Sequence, residues 1–213
     1  MPTPPKKNTA LLTKFTHEHV NITQQHTLYS GFFKMEQYTL QHKLFAGGWS
    51  KPIVREMFER GHAVALLPYD PVTDEFVLIQ QFRLGAMATS DSPWLVEVIA
   101  GMIDPGFDAE VVCHKEAEEE AGIALYDVVE VCSYLSSPGG TTERLRCFIA
   151  KTDSTQADGI HGVESESEDI KVLRVPRCEA KKWLETGVID NAAAIILLQH
   201  FFLHETKYRN IDT

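Results

Sequence analysis

Hydrophobic and polar residues alternate in short stretches along the first part of the chain, as in Phe33 and Met35, then Tyr38, Leu40, His42 and Leu44. A period of two predicts strands, here of a small antiparallel module. Gly47-Gly48 and Lys51-Pro52 punctuate its end, so residues 1–50 are read as one N-terminal β module and 51–213 as the main domain. HAVALLPYD and DEFVLIQQFR are apolar runs of strand length joined by Pro-Tyr-Asp-Pro, which predicts a hairpin. WLVEVIAG, VVEVCSYLSS and LRCFIAKT follow as strands, with a glutamate-rich helix after the first of them. Two helices close the chain: 177–185, stopped by Gly187, and 191–204, with Asp190 as its expected N-cap. DSTQADGIHGVESESEDIKV is a polar loop ending in a strand, and a loop of that length in a compact domain points to function or disorder.

Composition narrows the chemistry. With 213 residues, 44% of them hydrophobic, the chain can bury a core. A net charge of -10 argues against a nucleic-acid or anionic-membrane partner, since both require a basic footprint. A phosphate ligand must then be held by a few placed cations or by a metal. The four cysteines form no CxxC pair, which indicates neither a zinc site nor a disulfide framework and fits a reducing cytosol. The proline-rich start, MPTPPKKNTALL, reads as frayed and lacks a signal-type apolar region, and no run reaches transmembrane length, so a cytoplasmic location is expected.

The unusual feature is the stretch GMIDPGFDAEVVCHKEAEEEAGI, residues 101–123. Asp108 is placed to cap a helix that Gly122 ends. At helical spacing Glu116, Glu119 and Glu120 share a face, Glu118 points away, and Val112, Cys113, Ala117 and Ala121 can pack inward. Three carboxylates at i, i+3 and i+4 repel one another and oppose the dipole near a helix C-terminus. Either this is a solvated acidic face with Lys115 paired to Glu119, or the carboxylates hold a hard divalent cation. Helix spacing alone leaves both open. His17 and His19 are expected as alternate, solvent-exposed residues of one strand with no third ligand, and SPGGTTER lacks the Lys-Ser/Thr ending of a P-loop.

The same stretch resembles the Nudix box, G-x5-E-x7-R-E-U-x-E-E-x-G-U with U aliphatic. Gly101, Glu116, Ala117, Glu119, Glu120, Gly122 and Ile123 fall at their places, whereas Phe107 stands for the first glutamate and Lys115 for the arginine. In the family those two residues brace loop against helix; here apolar packing of Phe107 is expected to replace the brace. The resemblance covers residues 29–204 and is nearest to the bacterial ADP-ribose pyrophosphatase branch, carried by GGWS, VREMFERGHAVALLPYDP, QFR, PWLVEVIAGMI, SPGGTTER and ESEDIKV.

The resemblance implies an α/β fold, the Nudix α/β/α sandwich with a mixed sheet, and a homodimer formed through the N-terminal module. It implies a metal site of Glu116, Glu119, Glu120, Glu168 and the Ala100 carbonyl, holding Mg²⁺ or Mn²⁺. Glu166 would be the general base, standing off the helix because a metal-bound carboxylate is a weak base. Substrate contacts are expected from Phe32, Arg55, Glu56, Arg83, Met102 and Glu143, while Glu97 reads as a satisfied, partly buried strand acid. The reaction implied is hydrolysis of ADP-ribose to AMP and ribose 5-phosphate. A hydrolase of another nucleoside diphosphate sugar such as GDP-mannose, or a domain that binds ADP-ribose without cleaving it, are the alternatives.

Overall fold

The computed structural model of the protein describes residues 12–209, with Glu166 as backbone only; the proline-rich start at residues 1–11 lies outside them. Two compact units emerge, one running to Arg60 and including residues 139–142, the other formed by the remainder. In the first, β1 (Val20–Ser30), β2 (Lys34–His42) and β3 (Ile53–Glu59) make an antiparallel sheet in that order. Every residue of β1 is exposed. The segment 139–142 joins this unit through β3, where Phe58 N–H donates to the Gly140 carbonyl at 2.7 Å and the Thr142 hydroxyl to Glu59.

His17 and His19 do not lie on a strand. They form a 3-10 turn in which the Thr16 N–H donates to His19 Nδ1 at 3.0 Å, a local capping bond that outcompetes extension.

The second unit contains β4 (His62–Asp70), β5 (Glu75–Phe82), β6 (Trp94–Glu97), β7 (Ile99–Ile103), β8 (Leu125–Leu135), β9 (Arg144–Thr152), β10 (Ile160–His161) and β11 (Ile170–Pro176). Its helices are α1 (Ala109–Ala121), α2 (Arg177–Thr186), α3 (Ala192–Leu203) and the short α4 (Glu205–Arg209). The sheet order is β10-β11-β5-β4-β9-β8, mixed because β4 and β9 run parallel. Alternate residues divide the core: Val64, Leu66, Val77 and Ile79 pack with α1, whereas Ala65, Leu67, Phe76 and Leu78 pack with α2 and α3. Helices thus cover both faces of the sheet.

The expected hairpin is paired only at its base, Tyr69 with Phe76 and Asp70 with Glu75. Beyond it β4 and β5 part, and the stretch expected as one strand divides at Val98 to fill the opening. β6 pairs with β5, and β7 with β4. The alternation survives the break, Val96 and Val98 facing α3 and Ile99 facing α1, so one periodic run serves two partners. The cap of α3 also differs from expectation. It is Asn191, not Asp190, because an amide both accepts from Ala194 N–H (3.2 Å) and donates to the Val96 carbonyl (2.7 Å), tying helix to sheet. A carboxylate can only accept.

Candidate active site

Helix α1 begins as its sequence requires, with Asp108 accepting from Glu110 N–H at 2.9 Å, and ends at Gly122 in the left-handed conformation (φ 64°). Val112, Cys113, Ala117 and Ala121 are buried against the sheet. This fixes the rotation of the helix and carries Glu120 inward to 3% exposure while Glu118 stays in solvent. The Ala100 N–H on β7 donates to Glu120 Oε2 at 3.1 Å. Burial pushes the Glu120 carboxyl up to about 8; the neighbouring Glu116 and Glu168 charges push the same way, against the Ala100 N–H and Arg83. Glu116 is likewise raised by burial and by Glu119 and Glu168, with Lys115 opposing.

Glycine at 101 is needed for this approach. A Cβ there would lie 2.2 Å from the Glu116 carboxyl carbon, so strand and carboxylate can meet only without a side chain. The polar loop is tied to the same helix: Gly162 N–H donates to the Glu119 carbonyl at 3.2 Å, and Glu168 Oε2 accepts from Val163 N–H at 3.1 Å. Gly162 (φ 113°) is hemmed by Glu168, whose Cβ would stand 2.7 Å from an added Cβ. Glu168 therefore reaches the α1 carboxylates electrostatically, whereas the side chain of Glu166 lies outside the described residues.

These groups suit a hard divalent ion: the donors are carboxylate oxygens, and among the described residues buried Glu120 has no cationic contact of its own. Among the described residues no three acidic, imidazole or thiol groups already converge as a ligand set. Lys115 Nζ instead contacts Glu119 at 2.7 Å and Glu116 at 3.3 Å. Phe107 does not pack as expected. It is 61% exposed in the turn after Asp104, where its N–H returns to the Asp104 carbonyl, and no apolar brace takes the place of the charged one.

The remaining expected contacts divide between the units. Phe32 (86% exposed), Arg55 and Glu56 belong to the N-terminal unit, with Arg55 Nη1 donating to the Val54 carbonyl. Arg83, Met102 and Glu143 belong to the larger unit, Glu143 buried and Met102 partly exposed on β7. Glu97, expected as a satisfied, partly buried strand acid, is one: it accepts from Arg83 Nε at 2.8 Å, a partner the sequence reading did not name. The signal available was strand parity, since Glu97 on β6 lies on the α1 side between inward Val96 and Val98.

The family model described as NUDIX domain matches residues 59–195. An ADP-ribose pyrophosphatase of Escherichia coli (strain K12) is 48% identical, covering 92% of this chain and 94% of its own. One from Haemophilus influenzae is 43% identical over 91% of each chain. A GDP-mannose pyrophosphatase of Pectobacterium atrosepticum is 34% identical, covering 85% of this chain and 93% of its own. A solved structure described as an ADP compounds hydrolase superposes with TM-score 0.70 at 19% identity, over 92% of this chain and all of that one, a likeness of fold.

Proposed function

This chain belongs to the NUDIX domain family, and on that premise we propose that it is a metal-dependent hydrolase of the pyrophosphate bond of ADP-ribose, releasing AMP and ribose 5-phosphate. The observation that carries the reading is Glu120 buried on α1 beside Glu116, with the Glu168 loop tied to the same helix through Gly162 and, among the described residues, no cationic side chain in contact with Glu120. That arrangement is unfavourable by itself and becomes favourable around a divalent ion.

Mg²⁺ is the proposed ion; Glu116, Glu119, Glu120, Glu168 and the Ala100 carbonyl would hold it, with Lys115 released from Glu116 and Glu119. When bound, it neutralises the diphosphate and makes an adjacent water more acidic. Arg83 binds a phosphate oxygen through its guanidinium. Glu166 accepts a proton from water, whose oxygen bonds to one phosphorus while the bridging P–O bond breaks and its electron pair leaves with the other phosphate. Phe32, Arg55, Glu56, Met102 and Glu143 are assigned to the adenosine and terminal ribose ends. GDP-mannose pyrophosphatases are the more distant relatives, which favours ADP-ribose over that substrate. The functional form proposed is a homodimer whose partner covers β1.

The test is AMP release from ADP-ribose with Mg²⁺, with and without chelator, in wild type and Glu166→Gln. Chelator-sensitive AMP release that falls by about two to four orders of magnitude in the variant is expected for loss of a general base. A folded wild type that binds ADP-ribose and releases no AMP would overturn the hydrolase reading in favour of a binding domain and make Phe107 the residue to explain.

A further inference from the structure

Arg83 follows β5 in extended conformation and its N–H continues the pairing with the neighbouring segment, donating to the Pro93 carbonyl at 2.7 Å. Its backbone is therefore fixed. The side chain is held at one point only: Nε donates to Glu97 Oε2 at 2.8 Å, and the two terminal nitrogens donate to no protein group among the described residues. Glu97 is the sheltered partner, its side chain 14% exposed against 44% for Arg83. Glu97 stands three residues before Ala100, whose N–H reaches Glu120 Oε2 at 3.1 Å, so the pair lies on the sheet close to the α1 carboxylates, and Arg83 bears on Glu120 electrostatically.

A carboxylate beside a site for an anionic ligand repels that ligand, so its presence calls for a compensating benefit. A guanidinium is a planar fork, and a bond to its Nε edge fixes the plane while leaving the terminal pair free for bidentate contact with phosphate. We propose that Glu97 is a positioning residue for substrate binding, holding Arg83 by Nε so that its terminal nitrogens face a diphosphate lying beside the carboxylates of α1. The proposal rests on the reading of this site as one for nucleoside diphosphates. Glu97 itself touches no substrate and acts through Arg83.

A double-mutant cycle tests this, measured by calorimetry of ADP binding to the full chain with Mg²⁺ present. Glu97→Ala is expected to weaken ADP about tenfold, the worth of one oriented charge-assisted contact. Glu97→Gln keeps an oxygen acceptor for Nε–H and is expected to lose less. In an Arg83→Ala background, Glu97→Ala should change ADP affinity by less than about twofold, because coupled residues are not additive. An equal loss in both backgrounds would show a structural role and overturn the proposal, as would unchanged or tighter ADP binding in Glu97→Ala. In turnover of ADP-ribose, the proposal expects Glu97→Ala to raise KM with kcat little changed. A wild type that shows the coupling to ADP but cleaves no ADP-ribose would sink the hydrolase reading and leave the role of Glu97 standing. A wild type that cleaves without coupling would do the reverse.

Discussion

Lys115 sits four residues before Glu119 and one before Glu116, and it contacts both carboxylates. The hydrogen bond with Glu119 is the chief reason its ammonium is held charged well above the ordinary lysine range. On the proposed reading it is a tethered counter-ion that a divalent cation bound by Glu116 and Glu119 would displace. With 57% of the Lys115 side chain exposed, the pairs are weak ones, worth roughly 0.2–1 kcal/mol. Lys115→Met is therefore expected to tighten Mn²⁺ binding, followed by its electron spin resonance signal, about two- to fivefold. Weaker binding would show that Lys115 instead holds the ligands in place. At this scale the sequence was informative about Glu116, Glu119 and Glu120, because helical spacing alone places them on one face. The i,i+4 spacing also anticipated the pairing of Lys115 with Glu119, whereas the expected packing of Phe107 failed, because whether a turn residue finds an apolar partner depends on neighbours that no local pattern encodes.

Among the elements, α1 was readable from end to end, since its cap, its C-terminal glycine and its small inward residues are local signals. The division of residues 94–103 between two partners was not, because alternation is the same whether a strand has one neighbour or two. The turn between β4 and β5 makes a prediction of its own. Asp70 is 2% exposed and accepts from the N–H groups of Val72, Thr73 and Ser154. Burial pushes its carboxyl up, but these bonds outweigh burial and hold it below its ordinary value of 3.8. A depressed folded value means that the stabilisation is fully present above the unfolded value and is lost as pH falls through the folded one. Asp70→Asn should then cost about 1–3 kcal/mol at pH 7. Thermal melts should show the gap from wild type narrowing below about pH 4; a gap independent of pH would exclude the charge as its source.

For the whole molecule, the exposed β1 strand carries Ile22, Leu28 and Tyr29 at 55%, 51% and 65% exposure, an apolar surface suited to the proposed partner copy. Light scattering is expected to give twice the monomer mass for wild type and the monomer mass for an Ile22→Glu/Leu28→Glu variant; a monomeric wild type would exclude the dimer. The contact of residues 139–142 with β3 bears instead on how the chain is made. Thr142 meets Glu59 across a separation of 83 residues, so β3, translated well before it, waits for a strap synthesised far later. At about 5–20 residues per second that interval is roughly 4–17 s. For that time the nascent β3 presents an incomplete edge, and synonymous codons that slow translation between positions 60 and 142 would lengthen its exposure to chaperones and to neighbouring polysomal chains.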